Sequence, residues 1–129
     1  MYTFGFFSAL ILSLLAYRNI KSYERIETVN NAIFNIDSIE DGLSFKGSKI
    51  KIYSTREYFC SFFKFISYFE SICKTESGRW LIIKTNLFMV NGVEVKEIEI
   101  VSEDVVKKTM LRSGQIDLYN ENFGEVPLA

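Results

Sequence analysis

The sequence predicts an α+β protein: an N-terminal transmembrane and stalk helix, then a small, mainly antiparallel β domain of barrel or sandwich type, closed by one short C-terminal helix. Three observations carry that expectation. No charged side chain occurs before Arg18, apolar residues alternate with period two from Leu43 onward, and Asn91-Gly92 lies between two β-rich runs. A chain of 129 residues has room for one domain, divided here as an anchor and stalk over 1–29, a β-rich domain over 30–112 and an acidic tail over 113–129.

The first element is the apolar segment MYTFGFFSALILSLLAY, residues 1–17. As a helix it spans about 25 Å at roughly 1.5 Å per residue, just enough for a hydrocarbon core when flanking side chains snorkel. Phe4, Phe6, Phe7, Leu10, Ile11, Leu14 and Leu15 are the expected lipid-facing anchor, and the lipid bilayer is the first expected partner. A cleaved signal peptide fits less well, because no basic region precedes the apolar run. Arg18, Lys21 and Arg25 follow it directly, and positive flanks tend to stay in the cytoplasm. The expected protein is therefore single-pass, with its domain facing the cytoplasm.

Ile20, Tyr23, Ile26 and Val29 recur every third residue and predict a helical stalk, followed by an irregular link that ends at the turn signal Asp41-Gly42. Leu43 and Phe45 alternate with Ser44 and Lys46, and Ile50 and Ile52 with Lys49 and Lys51, so a hairpin is expected around Gly47-Ser48. Residues 58–73 fit either a strand or a helical stripe, with aromatic enrichment favouring a strand. Residues 80–84 are β-branched, and Asn91-Gly92 predicts a type I′ hairpin. In its second arm the apolar phase slips between Val95 and Ile98, which requires a bulge near Lys96-Glu97 if the strand is to keep one face. Ser102 can cap a helix with acids in its first turn and Gly114 as its stop, and the tail beyond Ser113 is expected to be loosely held.

Composition narrows the chemistry. The 15 Lys and Arg nearly balance 16 Asp and Glu, leaving no broad basic field for a phosphate backbone, so nucleic acid is not an expected partner. The chain has no His and only two Cys, Cys60 and Cys73, too few nitrogen and sulfur ligands for structural zinc, and without His the usual catalytic triads are unavailable. In a reducing compartment these would be free thiols. Isolated glycines offer no phosphate loop, and Glu94, Glu97 and Glu99 read as the solvated face of a hairpin. No catalytic residue, metal site or cofactor is expected. Phe59, Phe62, Phe63, Phe65, Tyr68 and Phe69 are mainly core candidates, while Phe62, Tyr68 and Trp80 are the residues best suited to an interaction surface.

The order of these features resembles the GIDE-type, or beside-a-membrane, domain. Gly42-Leu-Ser-Phe-Lys-Gly47 resembles its glycine-bounded strand, and Cys60-Ser-Phe-Phe-Lys-Phe through Tyr68-Phe69-Glu70 its aromatic strand. Ser77-Gly78-Arg79-Trp80 resembles its turn, and Phe88-Met-Val-Asn-Gly-Val-Glu-Val95 its apolar hairpin, so that residues 1–106 are covered. The hairpin has Asn91-Gly92 where the family has aspartates, and the chain has neither the second span nor the RING of the ligase members. The resemblance implies a β-rich module beside a bilayer, acting as an adaptor in a defence or stress system, without ligase activity. Together with the residue-level reading, it predicts a non-enzymatic protein-interaction module at a membrane. The alternatives are an accessory subunit of a larger membrane complex and a self-associating, pilin-like filament subunit.

Overall fold

The computed structural model describes residues 23–61, 63–88 and 92–128. Helix α1 covers 23–34, and its residues Val29 and Ile33, one turn apart, are completely buried. The helix stops at Asn35, whose side-chain amide donates to the Asn31 carbonyl at 2.9 Å alongside its own backbone N–H, an alternative to continued helix that Asn supplies readily. Strands β1 (Asp37–Glu40) and β2 (Leu43–Lys46) pair antiparallel. Asp41 and Gly42 between them both take positive φ, as a two-residue primed turn demands. The chain then folds back on α1 at Gly47. Its N–H donates to the Ile36 carbonyl at 2.8 Å, and a Cβ there would collide with the carbonyls of Ile33 and Phe34.

A short 3-10 turn leads into a four-stranded antiparallel meander of β3 (Ile50–Ser61), β4 (Ile66–Thr75), β5 (Trp80–Phe88) and β6 (Gly92–Val101), with the strands in sequence order. Helices α2 (Glu103–Arg112) and α3 (Ile116–Phe123) follow. The Ser102 hydroxyl accepts from the Val105 N–H at 3.4 Å to start α2, and Gly114 at φ +74° lies just past its end.

Alternation assigns the two faces of the sheet. Phe69, Cys73, Leu81 and Ile83 point to one side, where Val29, Ile33 and Phe45 close over them. Ile72 and Trp80 point to the other, beneath Val106, Met110 and Tyr119 of the C-terminal helices. The expected bulge in β6 is present: Lys84 pairs with Glu97 and Thr85 with Val95, so Lys96 has no partner and Val95 and Ile98 both reach the first core.

Several expectations are corrected. The domain is a four-stranded sheet with helices on both faces and a separate two-stranded β1–β2 ribbon, not a barrel or sandwich. Residues 23–34 form no free stalk, because Val29 and Ile33 belong to the core, and the expected boundary after residue 29 cuts through α1. No helix among the described residues is long and apolar enough to cross a membrane. That finding overturns the anchor-and-stalk fold class and the single-pass, cytoplasm-facing localisation. The anchor candidates Phe4, Phe6, Phe7, Leu10, Ile11, Leu14 and Leu15, with Arg18 and Lys21, lie outside the described residues.

Strand β2 pairs with β1 and not with β3, since Gly47 turns the chain toward α1. Residues 58–73 contain the end of β3, a turn and most of β4, in place of a single element. The register closes Phe88 on Gly92 and leaves the connection to residues 89–91, outside the described residues. The C-terminal stretch is held down, because α3 buries Tyr119 and sets Phe123 against Trp80 with ring centroids 5.7 Å apart.

Candidate interaction surface

The C-terminal helices cover only one end of the second sheet face. Past them a charged row crosses all four strands, in which Arg56, Glu70, Lys84 and Glu97 are successive cross-strand partners of alternating sign. Opposite charges placed directly across a sheet stabilise it modestly, and the Arg56 guanidinium lies 3.7 Å from the Glu70 carboxylate. The row separates the covered end from the β3–β4 turn.

At that turn the surface becomes aromatic. Phe59 pairs with Tyr68 across the strands, and a bulge at Tyr58 sets both neighbouring rings against Tyr68, with centroids 5.8 Å away for Phe59 and 6.2 Å for Tyr58. Phe63 and Phe65 follow in the turn itself. Phe59 is 58% exposed, Phe65 61% and Phe63 99%. Fully burying one such side chain is worth about 1.5–3 kcal/mol, so three phenylalanines leave a large favourable term unrealised in this chain alone. Phe65 also has φ +54°, a left-handed conformation that costs a bulky residue energy and recurs at binding and switch sites.

Of the residues expected at an interaction surface, Tyr68 stands in this patch, half-buried between its two aromatic neighbours. Phe62 lies outside the described residues. Trp80 lies away from this patch: it is 8% exposed and packs between Tyr53 and Phe123 in the second core. Arg25, expected to set topology, instead pairs with Glu57 at 2.8 Å. The aromatic cluster as a whole is not core. Phe69 alone among Phe59, Phe63, Phe65 and Phe69 is buried, because a strand offers only alternate positions to one face while these residues occupy both phases and a turn. That double phase was the signal in the sequence for an exposed patch.

The two cysteines stand apart. Cys60 pairs with Ser67, whose hydroxyl donates to Sγ at 3.5 Å, and Cys73 pairs with Ile52 and Leu81. Six positions of β4 separate Ser67 from Cys73, roughly 20 Å of strand, whereas a disulfide needs Cα atoms within about 7 Å. Burial pushes the Cys73 thiol up to about 12. Among the described residues no three His, Cys, Asp or Glu side chains gather as a metal-binding group.

No family model matches the chain, and neither the curated proteins nor the solved structures yield a match.

Proposed function

We propose that this chain is a non-enzymatic protein-interaction module whose contact surface is the aromatic β3–β4 turn. One observation carries the reading: Phe59, Phe63 and Phe65 stand exposed on a domain whose sheet already fills two cores. Contiguous exposed apolar groups bordered by charge are the usual mark of an interface, and aromatic side chains are its commonest anchors. The Arg56–Glu70–Lys84–Glu97 row supplies the polar rim on one side. The partner that fits is a protein offering an apolar pocket, into which Phe63 inserts while Phe59 and Phe65 close around it.

The test is site-specific photocrosslinking in cells producing the full chain, with a benzophenone side chain at position 63 and, as a control, at position 99 on the exposed face of β6. A discrete adduct from position 63 that vanishes in a Phe59→Ser/Phe65→Ser background, with none from position 99, is the expected result. An adduct of twice the chain mass would make the partner a second copy. Equal labelling at both positions, or none at 63, would remove the proposal.

A further inference from the structure

At the end of the sheet opposite the aromatic turn, three lysines converge on one row of rings. Tyr53 and Trp80 lie 5.1 Å apart, and Trp80 and Phe123 5.7 Å apart. Lys51 Nζ stands 4.7 Å from the Tyr53 centroid, Lys74 Nζ 4.8 Å from that of Trp80, and Lys107 Nζ 5.1 Å from that of Phe123. The three ammoniums come from β3, β4 and α2, so tertiary folding alone assembles them. Lys51 and Lys74 are direct cross-strand partners, an arrangement of like charges that destabilises a sheet.

None of the three ammoniums is in an ion pair among the described residues. The ion pairs among the described residues are Arg25–Glu57 and Arg56–Glu70, and neither includes these lysines. The remaining residues, 1–22, 62, 89–91 and 129, contain no Asp or Glu. An open cleft of about 470 Å³, lined by Lys49, Lys51, Tyr53, Lys74, Thr75 and Glu76, adjoins the row and adds a further ammonium, a hydroxyl and one carboxylate, so that cationic groups outnumber the acid there three to one.

We infer that Lys51, Lys74 and Lys107, held on the Tyr53–Trp80–Phe123 row, form a docking strip for an acidic polypeptide segment. This surface is independent of the aromatic turn. Stacking each lysine stem and ammonium over a ring reduces the rotamer freedom that binding would otherwise have to remove. The number and arrangement of the ammoniums select the ligand. Three cations from three different elements along one row call for several carboxylates on one adaptable chain, which an extended acidic peptide supplies. A compact phosphate would engage one or two of them, and lysines act as point charges without the bidentate geometry that favours phosphate recognition.

The experiment uses the full chain and its single tryptophan. Trp80 emission is followed while an octaglutamate peptide is added, with anisotropy of the labelled peptide as a second readout. Saturable binding that weakens with added salt is expected, with about tenfold lower affinity in Lys51→Gln/Lys74→Gln/Lys107→Gln and no change in Lys64→Gln/Lys96→Gln. A urea titration of the triple variant checks that it is folded before its binding is compared. Should it not fold, Lys107→Gln alone, on the exterior of α2, is expected to weaken binding severalfold. No saturable binding, equal binding by the variants, or tighter binding of inorganic phosphate or of a single-stranded oligonucleotide would each overturn the inference.

Discussion

Arg25 of α1 and Glu57 of β3 stand 32 positions apart in the sequence and meet with Nη2 2.8 Å from Oε2. Their side chains are 20% and 18% exposed, so water screens the pair only in part. A pair of this kind contributes about 1 kcal/mol at most. Glu57→Gln should therefore lower the unfolding free energy by up to about 1 kcal/mol in low salt, with the deficit shrinking as ionic strength rises. Urea titrations of the full chain at two salt concentrations measure it, and coincident curves for the two proteins in low salt would show that the pair contributes nothing.

Ile33 distinguishes an integral α1 from a stalk. It is fully buried among Val29, Phe45 and the first sheet face. Ile33→Ala should cost about 2–5 kcal/mol, the range for truncating a core aliphatic. Tyr23→Ala, at a side chain 72% exposed on the same helix, should change stability by less than about 0.5 kcal/mol. Similar small effects from both would return α1 to the role of a spacer.

Thr85 offers a gain. It is 1% exposed on the first face, and its hydroxyl has no hydrogen-bond partner among the described residues. A buried unpaired hydroxyl costs about 1–3 kcal/mol, and valine keeps the β-branched shape. Thr85→Val should raise the midpoint of thermal unfolding, corresponding to a stabilisation of about 1 kcal/mol; a lowered midpoint would mean that the hydroxyl is satisfied.

Cys73 predicts both reactivity and pH dependence. Its thiol moves from the ordinary 9.0 to about 12 because burial disfavours the thiolate. Unfolded chains therefore release this proton above about pH 9 while folded ones keep it until about pH 12, so the contribution is fully present below pH 9 and is lost as pH rises between those values. A disulfide-exchange reagent at pH 8 should label Cys60 in the native chain and reach Cys73 only on unfolding. Cys73→Ala should flatten the alkaline loss of stability. Equal labelling rates for both thiols would contradict the burial.

Much of the sheet was legible in the sequence. The alternation in residues 43–52, the β-branched run at 80–84, the slip between Val95 and Ile98, the Ser102 cap and the Gly114 stop are local signals with local causes, and each has its counterpart in the structure. Pairing was harder to read. Gly47 resembles a hairpin turn until α1 is in place, when its missing Cβ becomes the room needed by the carbonyls of Ile33 and Phe34. The candidate surface was half legible. Tyr68 was identified, while Phe59, Phe63 and Phe65 carry the same aromatic character as the buried Phe69 and differ from it only in strand phase and position around a turn. Trp80 was ambiguous for the converse reason, because an amphipathic ring is at home at an interface or under a helix, and only the fold sets Phe123 of α3 against it.

By itself the sequence determined the strand periodicity, the helix caps, the bulge at Lys96 and the want of histidine, because these depend on a residue and its near neighbours. Only the tertiary structure decided that α1 belongs to the core, that the phenylalanines of the β3–β4 turn stay outside it, and that Lys51, Lys74 and Lys107 share one row of rings. Burial and charge proximity depend on which distant segments meet, and residue spacing along the chain carries no record of that meeting.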